Sequence, residues 1–162
     1  MHESVLSWAA KEVAIREISE LRTLEVGSCD VNGTVRQFFK GDYVGVDRDE
    51  GPGVDQQVVP GEPLPFDDDS FDVVISTEML EHDMRPWKTV CEMARVLKPG
   101  GTMLLTARGY DERGAFHVHN PPDYWRYSGD ALGVLALDAG LVNISVYRDP
   151  QVPGFFLAGV KP

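Results

Sequence analysis

The sequence is poor in cysteine, in basic residues and in long apolar runs, and each shortage removes a class of function. Its two cysteines, Cys29 and Cys91, form no CxxC or CxxH pair, which excludes a zinc finger and fits a reducing, cytoplasmic setting. Lys and Arg number 15 against 26 Asp and Glu, so a net charge of −11 repels polyphosphate over most of the surface and argues against nucleic acid as a partner. Arg108, Arg113 and Arg126 are the candidates for a local basic patch; each reads equally well as a solvated loop arginine. No apolar run approaches the roughly 20 residues that span a bilayer. The amphipathic N-terminal stretch MHESVLSWAAKEVAIREISEL carries acidic residues throughout, unlike a secretory signal. Also missing are internal repeats, a GxSxG elbow, a Walker lysine motif and a full GxGxxG.

What is present is alternation. With 162 residues and 43% hydrophobic content the chain suits one α/β domain over residues 1–162. Val5, Leu6, Trp8, Ala9, Val13, Ile15 and Ile18 form an approximate helical stripe, and 22–26 (RTLEV) reads as a first strand closed by Gly27. A short helix is predicted over 34–39, a second strand over 43–46 ending at Asp47, and an abbreviated crossover at 49–53 (DEGPG) before a third strand over 54–59. The run 71–75 (FDVVI) reads as a strand covered on both faces. A helix over 86–97 with Pro near its start and Pro99-Gly100-Gly101 as its stop precedes a strand at 102–106. A helix over about 130–139 and an antiparallel pair at 142–147 and 155–160 complete the pattern.

Two positions carry chemistry on their spacing. Gly27 opens a strand-to-helix turn in which backbone N–H groups approach a ligand without a Cβ in the way. Asp47 ends the second strand about 20 residues later, where a nucleoside-binding α/β fold places a carboxylate for ribose hydroxyls. The residues alone leave a second reading open, a turn-initiating Asp before Arg48 and Asp49.

The segments LEVGS at 24–28, YVGVD at 43–47, LPFDDDSFDVVIS at 64–76 and EMARVLKPGGTMLLT at 92–106 together resemble the small, type-11 class I S-adenosylmethionine-dependent methyltransferases. The resemblance runs from Leu24 to about Gly140. It implies a Rossmann-like seven-stranded, mostly parallel sheet with a terminal antiparallel strand and helices on both faces. It also implies that Glu25, Gly27 and Ser28 meet the methionine part of the cofactor, that Asp47, with Arg48 beside it, meets the ribose, and that Thr77, Glu78 and Met79 flank the reacting end. The chain departs from the family at the turn, where Gly27 is followed by Cys29 and Val31 in place of further spaced glycines, and at Pro60, where an acidic residue often follows the third strand. Asp55 lies close by, at the start of that strand, and is not assigned to the adenine.

The segment Glu78-Met79-Leu80-Glu81-His82 permits a sharper expectation. On a helix, Glu78, Glu81 and His82 share one face. The EMLEH text resembles ubiquinone-biosynthesis O-methyltransferases, and its ExxEH core small-RNA 2′-O-methyltransferases, which implies a divalent metal, Mg²⁺, Mn²⁺ or Zn²⁺, with His117 and His119 as further ligands. The alternative is a helix cap and cofactor lid without metal, with His82 or His119 alone as general base. The aromatic loop 117–127 (HVHNPPDYWRY) reads as a cover over the acceptor, with Tyr124 and Trp125 enclosing a ring or sugar and Arg126 meeting an anionic group, or as a cluster anchoring the loop to the sheet. Cys91 reads as a core thiol.

The expectation is therefore S-adenosylmethionine-dependent O-methylation of a small molecule or sugar, with a homodimer mate or a partner protein completing the acceptor site. Two other readings stand beside it: a non-catalytic, partner-binding relative that has lost the glycine turn, and a nicotinamide-dependent oxidoreductase sharing the strand, glycine and Asp47 layout.

Overall fold

Strands with unbroken burial form the middle of the sheet. The computed structural model describes residues 2–110 and 122–162. β1 (Thr23–Val26) is buried at every position, and so is β4 (Phe71–Thr77) apart from Asp72. Both lie inside a seven-stranded sheet of order β3-β2-β1-β4-β5-β7-β6, with β2 (Tyr43–Asp47), β3 (Gln56–Gln57), β5 (Leu97–Arg108), β6 (Val142–Arg148) and β7 (Gly154–Val160). β3, β2, β1, β4 and β5 pair in parallel, whereas β7 runs antiparallel between β5 and β6. The Rossmann-like sheet and the antiparallel final pair are as the sequence implied.

Alternation along these strands builds two apolar layers. Leu24, Val26, Val74, Met103, Leu105 and Leu157 face α2 (Pro86–Val96) and α3 (Gly129–Asp138). Val73, Ile75, Leu104, Phe156 and Ala158 face α1 (Glu3–Ile15), from which Trp8 stacks on Phe156 with ring centroids 5.0 Å apart. Pro86 opens α2 where no intrahelical N–H is needed, and Ser128 caps α3 by accepting from the Ala131 N–H.

The structure revises several expected boundaries. Residues 35–38 form one 3₁₀ turn, capped by Thr34, rather than an α-helix. The third strand shrinks from 54–59 to Gln56–Gln57, both exposed, because Pro60 and Gly61 lie just past Val58 and Val59 and only β2 borders it. Lys98 to Gly101 lie inside β5 instead of closing a helix; pairing with β4 jumps from Phe71↔Leu97 to Val73↔Thr102, so the extra residues bulge out. Ile15 is exposed, outside the α1 stripe, and Cys91 lies on the exposed side of α2, one position past buried Val90, so it is no core thiol. β6 carries a register shift between Val142 and Ser145, with Asn143 at φ 51°.

Candidate active site

The carboxyl ends of β1, β2 and β4 lie side by side, which brings Gly27, Asp47 and Thr77 to one edge of the sheet. Gly27 has φ +86°, a left-handed conformation, and a Cβ there would stand 2.5 Å from the Met79 side chain. Both requirements select glycine. Gly27 and Ser28 each donate a backbone N–H to the Val46 carbonyl, at 2.9 and 3.1 Å, tying the turn to β2. Asp47 is half-buried; its Oδ2 accepts from the Cys29 N–H at 3.1 Å and its Oδ1 from the Asp49 N–H at 3.2 Å. The carboxylate is thus held by two donors with lone pairs to spare.

Within the altered turn the Gly33 N–H donates to Asp30 Oδ1 at 2.7 Å. The short crossover packs against it. A Cβ on Gly53 would meet the Ser28 carbonyl at 2.7 Å, and one on Gly51 the Cys29 sulfur at 2.6 Å. The buried Ser28 hydroxyl lies against Gly45, where a Cβ would meet it at 2.7 Å, so its side chain packs between the turn and β2. Arg48 pairs with Asp49 at 2.9 Å, and Asp55 bonds Arg36 and the Gly45 N–H.

Glu25 is 2% exposed and accepts a 2.7 Å hydrogen bond from the Tyr43 hydroxyl. Burial pushes its carboxyl up to about 7, against the lowering effect of Tyr43 and of the Arg36 charge. Burial and the neighbouring Glu25 push the Tyr43 phenol upward as well, so the phenol keeps its proton and donates. This partnership was not foreseen; a Tyr opening the strand paired with β1 was its only sequence sign.

Beyond β4 the structure departs from the expected metal face. Thr77 ends the strand with a buried, unpartnered hydroxyl, and Glu78 adopts φ 49°, so no helix starts there. Only Leu80–His82 form a 3₁₀ turn. Glu78 pairs with Arg108 at 3.2 Å and accepts from the His2 N–H at 3.3 Å. Glu81 turns inward, 1% exposed, with neither carboxyl oxygen hydrogen-bonded. Burial pushes it up to about 8, with Glu78 and Asp123 adding to the rise. The ring of His82 faces Asp123 instead, its Nδ1 2.9 Å from Asp123 Oδ1. Among the described residues no three His, Cys, Asp or Glu side chains converge to hold a metal. His117, His119 and Arg113 lie outside the described residues.

The segment 122–127 anchors itself to this turn. The Tyr124 and Trp125 N–H groups donate to the Glu81 carbonyl at 2.7 and 3.2 Å, Trp125 Nε1 donates to the Asp83 carbonyl at 2.8 Å, and the Tyr127 hydroxyl donates to the Leu80 carbonyl at 3.1 Å. Trp125 also meets Trp87 edge to face at 5.9 Å, and Arg126 is bound to Asp123. The anchoring reading thus describes Trp125 and Arg126, while Tyr124 keeps an exposed ring. Arg108 and Arg126 are each paired with a carboxylate.

Comparison with known proteins names this architecture. The family described as "Methyltransferase domain" matches residues 11–105. The chain belongs to that family. An uncharacterized methyltransferase of Mycobacterium tuberculosis is 50% identical over 46 residues, which are 28% of this chain and 18% of that protein. The match thus spans less than a fifth of the length of such relatives. Among solved structures, the Burkholderia thailandensis 1,6-didemethyltoxoflavin-N1-methyltransferase, with bound 1,6-didemethyltoxoflavin and S-adenosylhomocysteine, aligns at TM-score 0.74 and 17% identity over 98% of this chain and 79% of its own. The Haemonchus contortus phosphoethanolamine N-methyltransferase 2, in complex with S-adenosyl-L-methionine, aligns at TM-score 0.72 and 19% identity over 94% of this chain and 52% of its own. At such identities the likeness is one of fold. No described helix of this methyltransferase-family chain is long and apolar enough to cross a membrane.

Proposed function

We propose that this chain transfers the methyl group of S-adenosylmethionine to a hydroxyl of a small molecule or sugar. The observation that carries the reading is the alignment of Gly27, Asp47 and Thr77 at the ends of three adjacent parallel strands. The residues present suit the cofactor: the Gly27 cradle would be filled by any Cβ, the half-buried Asp47 carboxylate is held ready, and an orphaned Thr77 hydroxyl ends β4. In this reading Asp47 takes the ribose hydroxyls, Glu25 and Gly27 line the methionine side, and Met79 forms the wall opposite Gly27. Arg48 and Ser28 contribute through the shape of the turn.

Bound S-adenosylmethionine supplies an electrophilic methyl on a sulfonium. The protein's part is to hold the acceptor in line with that methyl, to exclude water and to take the acceptor's proton. His82, in the turn that follows Thr77 to Met79, is the base in this reading, and Tyr124 offers an aromatic face to the acceptor. The neighbours that bind S-adenosylhomocysteine or S-adenosyl-L-methionine on the same fold support the cofactor assignment. Calorimetric titration with S-adenosylmethionine, S-adenosylhomocysteine and NAD tests it. Both sulfur ligands bind and NAD does not, and Asp47→Ala weakens binding roughly 10- to 100-fold through the loss of charged hydrogen bonds worth about 1.5 to 3 kcal/mol each. Equal small effects of Asp47→Ala and Glu81→Ala in folded protein would refute the assignment.

A further inference from the structure

Strand order decides where the base of the cofactor lies. In the sheet β3 borders β2 on the side away from β1. A ribose whose hydroxyls meet Asp47 sends its C5′ arm one way and its base, from C1′, the other. With the methionine arm over Gly27 at the end of β1, the base goes towards the end of β3. There the Val58 N–H donates to the Asp47 carbonyl at 2.9 Å, so the turn 58–61 begins beside the ribose carboxylate. Val59 is exposed and offers apolar surface for the flat face of a base. Pro60 brings neither an N–H nor a polar side chain to that edge.

The side chain that reaches this turn is Arg85. A Cβ on Gly61, at φ +84°, would stand 3.3 Å from Arg85 Nη1 and 4.0 Å from its Cδ, so the guanidinium lies against the turn. The Arg85 backbone N–H donates to Asp83 Oδ1 at 2.8 Å, which fixes where the side chain leaves the start of α2. Its guanidinium pairs with no carboxylate among the described residues. Arg36, Arg48, Arg95, Arg108 and Arg126, by contrast, each hold one. In a chain with 26 acidic residues against 15 basic ones, an unmatched guanidinium at the base end is a set of donors kept available for a ligand.

We propose that Arg85 reads the edge of the base and lets this site take a 6-oxopurine at least as tightly as adenine. The inference rests on the methyltransferase reading above. A guanidinium only donates. Adenine meets it with ring nitrogens, and its 6-amino group, itself a donor, gains nothing from it. Hypoxanthine, the deaminated base, presents O6 and N7 side by side, the pair that arginine grips bidentately on guanine. A carboxylate at this edge would do the opposite, accepting from the 6-amino group and repelling O6.

Calorimetric titration with S-adenosylhomocysteine and its deaminated analogue S-inosylhomocysteine tests this without turnover. The wild type binds the inosyl ligand at least as tightly as the adenosyl one. Arg85→Ala weakens the inosyl ligand roughly 10- to 100-fold, through the loss of hydrogen bonds from a charged donor, and the adenosyl ligand less. Arg85→Glu replaces donors by acceptors and favours the adenosyl ligand about tenfold or more. No described residue is hydrogen-bonded to the Arg85 side chain, so urea midpoints of both variants stay at the wild-type value. The ratio of the two affinities is the deciding readout, because a general loosening of the site weakens both ligands alike. A wild type that binds S-adenosylhomocysteine but prefers it about tenfold or more overturns the proposal, as would follow if an acceptor such as Glu62 read the base. A ratio unchanged in both variants overturns it as well. A wild type that binds neither ligand defeats the methyltransferase reading and the proposal together.

Discussion

Replacing Glu81 by Gln removes a titration that couples folding to pH. The Glu81 carboxyl lies 1% exposed with no hydrogen-bond partner on either oxygen, and burial lifts it from 4.5 to about 8. Between those values the folded chain keeps a proton that the unfolded chain has released, so stability falls as pH rises. The stability present below pH 4.5 is lost progressively as pH climbs to the folded value of about 8. Each pH step of one between the two values costs about 1.4 kcal/mol, so the loss from pH 5 to pH 9 comes to about 4 kcal/mol for this one group. A Gln amide has the same shape and no charge to bury, and whatever its unpaired amide costs does not vary with pH. Urea unfolding of both proteins from pH 5 to pH 9, read as midpoint and slope, isolates the effect. The stability difference, Glu81→Gln minus wild type, should grow by about 4 kcal/mol in favour of the variant across that range. A difference that stays flat would show that the carboxyl finds a partner or water in solution, and the argument from its burial would fail.

Two further outcomes follow from the site. Gly27→Ala places a Cβ at φ +86° and 2.5 Å from Met79, so it destabilises by about 1 to 3 kcal/mol and weakens binding of S-adenosylmethionine, as thermal unfolding and calorimetry will show; unchanged values would mean the turn has no need of glycine. Tyr43→Phe removes the hydrogen bond that lowers Glu25, lifting that carboxyl above about 7. Cofactor affinity should then require a higher pH, visible as an alkaline displacement of the binding-versus-pH curve by about one pH unit or more; an unmoved curve would disconnect Glu25 from the methionine side.

The parts of this structure legible in the sequence are those set by short-range pattern. The β-branched run in β4 and the near-continuous burial of β5 from Gly101 to Ala107 and of β7 from Phe156 to Gly159 follow from apolar runs, and Gly27 and Asp47 follow from their places at strand ends. What escaped the sequence depends on partners far along the chain. Glu78 is left-handed because its N–H donates to Thr106, at 3.0 Å to the hydroxyl, and because its carboxylate is held by Arg108; no local signal announces that, and an EMLEH string taken as helical gives the wrong face. The pairs Tyr43–Glu25 and His82–Asp123 form only once the sheet has ordered its strands. Cys91 was misplaced for a simpler reason: with Val90, Met93 and Ala94 buried, helical phase already sets position 91 outward.

The two ends of the sheet are spoiled for strand addition in different ways. At one end β3 offers only Gln56 and Gln57, a ladder too short to template another chain. At the other, the shift in β6 around Asn143 interrupts the row of backbone donors and acceptors on the outermost strand. A mostly parallel sheet forms slowly and exposes its edges while doing so. A brief edge and a broken one limit the window in which a half-folded chain can recruit its neighbours into an aggregate, and the −11 net charge keeps those neighbours apart meanwhile.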